Sequence, residues 1–130
     1  MLANILFNKR PSKWGLIGDQ YLWCAMQDCF ASIAIPETEE RLQELIHTVF
    51  FGITGVNLKN VKGTPFYAKN LDKEGVRNGM VSPSFWLQIA IPLIISNYRV
   101  LIKSRNNGLM KRSMKRLIEI LFKNEKKDAK

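Results

Sequence analysis

Ser82-Pro83-Ser84-Phe85-Trp86-Leu87-Gln88-Ile89-Ala90-Ile91-Pro92-Leu93-Ile94-Ile95-Ser96-Asn97-Tyr98-Arg99-Val100-Leu101-Ile102 is the stretch that decides the fold. Ser82 is placed to cap a helix and Pro83 to occupy its first position, where a missing N–H costs nothing. The residues that follow are apolar almost all round, which predicts a central, buried helix. Pro92 removes one backbone hydrogen bond, so the helix is expected to kink or split there. Gln88, Pro92, Asn97 and Arg99 interrupt the run. A membrane-spanning helix needs about 20 apolar residues with few such breaks, so none is expected.

Two further helices flank this one on the N-terminal side. Tyr21, Leu22, Ala25, Met26, Cys29, Phe30 and Ile33 recur at helical spacing after Gly18, with Asp19 as the expected N-cap and Pro36 as the stop. The next begins at Thr38, carries Glu39 and Glu40 where the helix dipole favours acids, and buries Leu42, Leu45, Ile46, Val49 and Phe50. Gly52 or Gly55 ends it. The pair reads as a helical hairpin. On the C-terminal side, Asn106-Asn107-Gly108 predicts a turn and Leu109–Lys123 a fourth helix, fraying into residues 124–130.

Between Gly55 and Val81 the glycines, asparagines and Pro65 break any helical period. Thr64–Ala68 reads as a short strand or an ordered loop. The expectation is a mainly α single domain over residues 1–130: a bundle of about four to five helices with a long central loop that can hold short strands.

The charge is uneven. From Arg99 to Lys130 eleven Lys/Arg face three acids, a net of +8, whereas residues 1–98 carry nine against eight, a net of +1. On a helical wheel Met110, Met114, Leu117, Ile118 and Leu121 share one arc. Lys111, Arg112, Lys115, Arg116 and Lys123 lie on the opposite one. The apolar arc is expected to pack on the core, which leaves it unavailable to lipid, so no membrane partner is expected. The basic face suits a polyanion or an acidic protein surface.

No catalytic, metal or phosphate motif stands out, and no cofactor is implied. Cys24 and Cys29 point about 140° apart on their helix and read as small buried side chains in a reducing compartment. Met1–Phe7 is too short for an export signal, which points to a cytoplasmic protein. Trp14, beside Lys9, Arg10 and Lys13, is expected to fold back over the first helix. His47 lacks an identifiable nucleophile or orienting partner and reads as a helix-surface or capping side chain. The central loop gathers Tyr67, Lys69, Asp72, Glu74 and Arg77. Their spacing defines no catalytic site, but loops on a rigid scaffold carry recognition.

Two blocks, Lys13-Trp14-Gly15-Leu16-Ile17-Gly18-Asp19-Gln20-Tyr21-Leu22-Trp23 and Asn78-Gly79-Met80-Val81-Ser82-Pro83-Ser84-Phe85-Trp86, resemble blocks of small bacterial immunity proteins of contact-dependent inhibition type. The resemblance implies a cytoplasmic, non-enzymatic protein that binds a cognate toxin domain, and it assigns no site residue. Immunity proteins against nuclease toxins tend to be acidic, whereas this chain has a pI near 9.8. The expected contact surfaces are the 64–79 loop (Tyr67, Lys69, Asp72, Glu74, Arg77) or the basic helix (Lys111, Arg112, Lys115, Arg116, Lys123). A nucleic-acid-binding module using the basic helix is the alternative.

Overall fold

A computed structural model describes residues 2–72, 78–107 and 116–122. The chain is mainly α. Helices α1 (Leu2–Leu6), α2 (Ile17–Phe30) and α3 (Glu39–Thr54) come first. A two-stranded antiparallel sheet follows, pairing β1 (Phe66–Tyr67) with β2 (Met80–Val81) in the register Phe66↔Val81 and Tyr67↔Met80. Then α4 (Pro83–Phe85), a π-turn over Trp86–Ala90 and α5 (Ile91–Asn107) run on as one helix. Residues 116–122 form α6.

The signals at Thr38, Gly55 and Ser82-Pro83 act where they stand. Helix α2, in contrast, ends at Phe30, before Ile33 and the expected stop at Pro36, and Asn106 and Asn107 of the expected turn belong to α5. The Thr38 hydroxyl accepts from Arg41 N at 3.1 Å, and Gly55 ends α3 in the left-handed conformation at φ 74°. Ser82 Oγ accepts from Phe85 N, with Pro83 at the first helical position. The strand expected in Thr64–Ala68 is narrower, only Phe66–Tyr67. Of the fourth helix, residues 116–122 are described, and Leu109–Lys115 and Lys123 lie outside the described residues.

Pro92 does not split the third helix. The Ile91 N–H reaches back five residues to Trp86 O, so the turn before the proline is wider than an α-turn. The extra width relieves the clash between a proline ring and the carbonyl four residues earlier. The resulting helix, Pro83–Arg105, has the length and composition to cross a membrane, with mean hydropathy 1.5 over its most apolar window. One side of it supplies core residues, among them Trp86, Ala90, Ile94, Tyr98 and Leu101. Its opposite side corrects the expectation of burial all round, because Leu87, Ile89 and Val100 are exposed.

The buried residues form one contiguous cluster in which Phe7, Trp23, Phe30, Phe50 and Trp86 are the large members. Phe7 meets Trp23 edge-on at 5.1 Å, and Phe50 meets Trp86 at 5.8 Å, both favourable aromatic geometries. Polar side chains then lock the helices together. Tyr98 OH donates to Pro36 O at 2.6 Å, Asn97 Nδ2 to Leu6 O at 2.7 Å, and Trp23 Nε1 to Phe7 O at 3.3 Å. Helix α1, which the sequence does not announce, is held by the Asn97 bond to Leu6 O and the full burial of Leu6, with Phe7 buried just beyond it and bonded by Trp23.

Candidate functional site

The central loop is positioned by one carboxylate. Asp19 is not the N-cap of α2; that place belongs to Leu16, whose backbone N–H donates to Asp19 Oδ2 at 2.7 Å. Asp19 is 0% exposed, and its Oδ1 accepts from Ser82 N at 3.0 Å and from Trp86 Nε1 at 2.9 Å. A buried carboxylate is tolerated only when such donors replace water. Burial raises its pKa above the ordinary 3.8, and the bonds from Ser82, Leu16 and Trp86 act in the opposite direction.

Asp19 thereby ties together the two blocks Lys13–Trp23 and Asn78–Trp86. Glycine makes the fit possible. A side chain at Gly18 would overlap the Met80 carbonyl, and one at Gly79 would overlap the Ala68 carbonyl. Trp14 closes the junction from outside, edge-on to Trp23 at 5.7 Å and tilted against Phe85 at 5.9 Å, as its sequence position suggests.

This junction holds up the β1–β2 hairpin. Ala68 N donates to Gly79 O at 2.7 Å beyond the strand pairs, and Asn70 Nδ2 donates to Ile53 O at 2.9 Å at the end of α3. Leu71 is buried beneath. On the outer surface Tyr67 is 43% exposed, and its hydroxyl donates to Asp72 Oδ2. That hydrogen bond, with lesser contributions from burial and the Asp72 charge, raises the phenol pKa above 10.0, so the ring presents a neutral O–H. Lys69 is exposed on the same segment.

Tyr67, Lys69 and Asp72 thus share one braced segment, while Glu74 and Arg77 lie outside the described residues. Arg116 is exposed on α6, and Lys111, Arg112, Lys115 and Lys123 of the expected basic face lie outside the described residues. The residue that sequence reading missed is Asp19 in its bracing role. Its signal in the sequence is a lone acid after Gly15 and directly after Gly18 in the block Lys13–Trp23.

Other side chains depart from expectation. Cys24 and Cys29 are exposed rather than buried, because the buried stripe of α2 is taken by Leu22, Trp23, Met26 and Phe30. Arg10 Nη2 lies 3.8 Å from Cys24 Sγ. His47 is half-buried, and among the described residues its Nδ1 has no hydrogen-bond partner. Burial, followed by the Lys59 charge, lowers its pKa below 6.5, so it is neutral at neutral pH. Among the described residues no group of three His, Cys, Asp or Glu side chains could hold a metal ion.

The α6 helix also corrects the sequence reading. Ile118 and Phe122 enter the core, with the Arg105 guanidinium 3.9 Å over the Phe122 ring. Leu117 and Ile120 remain exposed. The apolar arc is therefore only partly covered.

Fold and site together define a mainly α protein presenting a braced hairpin. No protein-family model, curated protein or solved structure matches the chain.

Proposed function

We propose that the chain is a non-enzymatic binding protein of the immunity type, neutralising a cognate bacterial toxin domain by protein–protein contact. The observation that carries this reading is the exposed Tyr67 on a hairpin braced by Asp19, with Lys69 and Asp72 beside it. A tyrosine in a preformed loop supplies contact area with little ordering cost, and a rigid platform favours tight association. The charged neighbours supply pairing specificity.

The test is co-purification of the full chain with the product of the adjacent upstream gene. Binding is expected, and Tyr67→Ala should weaken it by on the order of tenfold or more, the scale of an aromatic anchor. A Lys69→Glu substitution tests the charge contribution. No complex with any neighbour-encoded protein overturns the reading. Retention of DNA or RNA that falls steeply between about 50 and 200 mM salt would replace it with the nucleic-acid module on the basic helix.

A further inference from the structure

A groove of about 490 Å³ opens between α1, α5 and α6. Its apolar walls are Ile5, Val100, Leu101, Leu117, Ile118 and Leu121, all aliphatic, with Lys9 at its edge. Asn97 fixes that edge by donating to Leu6 O at 2.7 Å and to Lys9 O at 3.4 Å. The volume is in the range of small-ligand sites, and the lining offers dispersion contacts to a hydrocarbon chain.

The apolar surface continues past the groove. At about 100° per residue, the apolar side chains of α6 span an arc of about 200°, from Ile120 through Leu117 and Leu121 to Ile118 and Phe122. Core packing uses the Ile118–Phe122 end. Leu117 at 58% and Ile120 at 46% exposure face outward, as does Val100 at 62% on α5. The polar arc of α6 holds Arg116 and Glu119. Lys103, three residues beyond Val100, is exposed on α5. Apart from Ile5, the groove walls come from the segment Arg99–Lys130, which carries eleven basic residues against three acids.

An aliphatic helix face wider than the core needs has the pattern of an interfacial helix, and the exposed cations Lys9, Lys103 and Arg116 complement anionic headgroups. We propose that this face docks on an anionic phospholipid bilayer, with an acyl chain entering the groove and Lys9, Lys103 and Arg116 over the headgroups. The premise that kept lipid out of the sequence reading, full use of the apolar face by the core, does not hold for Leu117, and Ile120 widens the uncovered face. This surface is separate from the Tyr67 hairpin, and the proposal goes beyond the toxin-binding reading.

Sedimentation of the full chain with vesicles of phosphatidylcholine containing about 30% phosphatidylglycerol, against pure phosphatidylcholine, tests it. The chain is expected to pellet with the anionic vesicles and to stay in solution with the neutral ones. The double variant Val100→Asn/Leu117→Asn, at exposed positions, should lower the partition by on the order of tenfold. Lys9→Glu/Lys103→Glu should lower it similarly and at low salt most. Tyr67→Ala should leave it unchanged, which separates this surface from the toxin-binding one. Circular dichroism checks that each variant is folded. No pelleting overturns the proposal. Equal pelleting of the asparagine variant also overturns it, reducing attachment to charge alone. A dimer in light scattering that the asparagine variant breaks would assign the face to a second copy instead.

Discussion

Trp86 Nε1 donates to Asp19 Oδ1 across 2.9 Å, joining residues 67 positions apart in a fully buried contact. The same oxygen takes the Ser82 N–H, so one acceptor in the first turn of α2 holds both the N-cap of α4 and the Trp86 ring. The hairpin rests on that junction together with the β1–β2 pairing and the Asn70 bond to Ile53 O.

Removing the acceptor should therefore be costly. Asp19→Ala leaves the Leu16, Ser82 and Trp86 donors without it and is expected to destabilise the fold by about 1–3 kcal/mol for each donor left buried and unpaired. Asp19→Asn keeps one oxygen but turns an amide toward a donor, a loss of about 1–3 kcal/mol. Urea denaturation of both variants below pH 3.8, where the contribution of Asp19 is full, checks the order; an Asn variant as stable as the parent there would show that Asp19 is dispensable.

The same carboxyl sets a pH dependence. Its folded pKa is raised above 3.8, chiefly by burial, so the folded state holds the proton more tightly than the unfolded chain. Its contribution to stability is full below the unfolded pKa and is lost as pH rises through the folded one. The stability difference between the parent and Asp19→Asn should accordingly shrink or reverse as pH rises above the ordinary carboxyl value of 3.8. A difference that grows with pH would contradict the direction.

Glu39 shows the opposite sign. Arg99 Nε and Nη2 donate to its two oxygens at 2.5 and 3.1 Å, and this holds its pKa below 4.5. Its contribution is present above the unfolded pKa and is lost as pH falls through the folded one. In an NMR titration of the Glu39 side chain, Arg99→Gln should move the midpoint upward. Added salt should weaken the effect because the pair is exposed.

Two glycines in helices should respond in opposite directions. Gly18→Ala drives a Cβ into the Met80 carbonyl and should cost about 1–3 kcal/mol through displaced backbone. Around Gly52 in α3 there is open space, so Gly52→Ala should stabilise by about 0.5–1 kcal/mol through helix propensity. Thermal melts of the pair read both signs.

Cys24 and Cys29 are both exposed and free, so both should alkylate with iodoacetamide without denaturant. Mass spectrometry counting two adducts on the folded chain checks this. A single adduct under native conditions would restore the buried reading for one of them.

Most of the helical framework is legible in the sequence because its signals are local. Thr38, Gly55 and Ser82-Pro83 act within one turn of where they stand, and the α3 stripe through Leu42, Ile46 and Phe50 needs only the helical period. Helix α1 is not legible: Leu2–Leu6 is too short for a period, and its burial depends on contacts with α2 and α5. At the candidate site, Tyr67, Lys69 and Asp72 can be named from composition. Their shared surface cannot, since it depends on β1 meeting β2 and on Asn70 reaching Ile53.

By itself, the sequence determines the mainly α class, the starts and stops of α3 and α4, and the concentration of positive charge after Arg99. Each follows from neighbours a few residues apart or from a count. The tertiary structure alone decides that Asp19 is a brace rather than a cap, that Pro92 is absorbed by a π-turn, and that Leu117 and Ile120 stay uncovered. Those outcomes depend on which surface folds against which. A helical wheel marks the apolar arc, but only packing against another element sets how much of it leaves water.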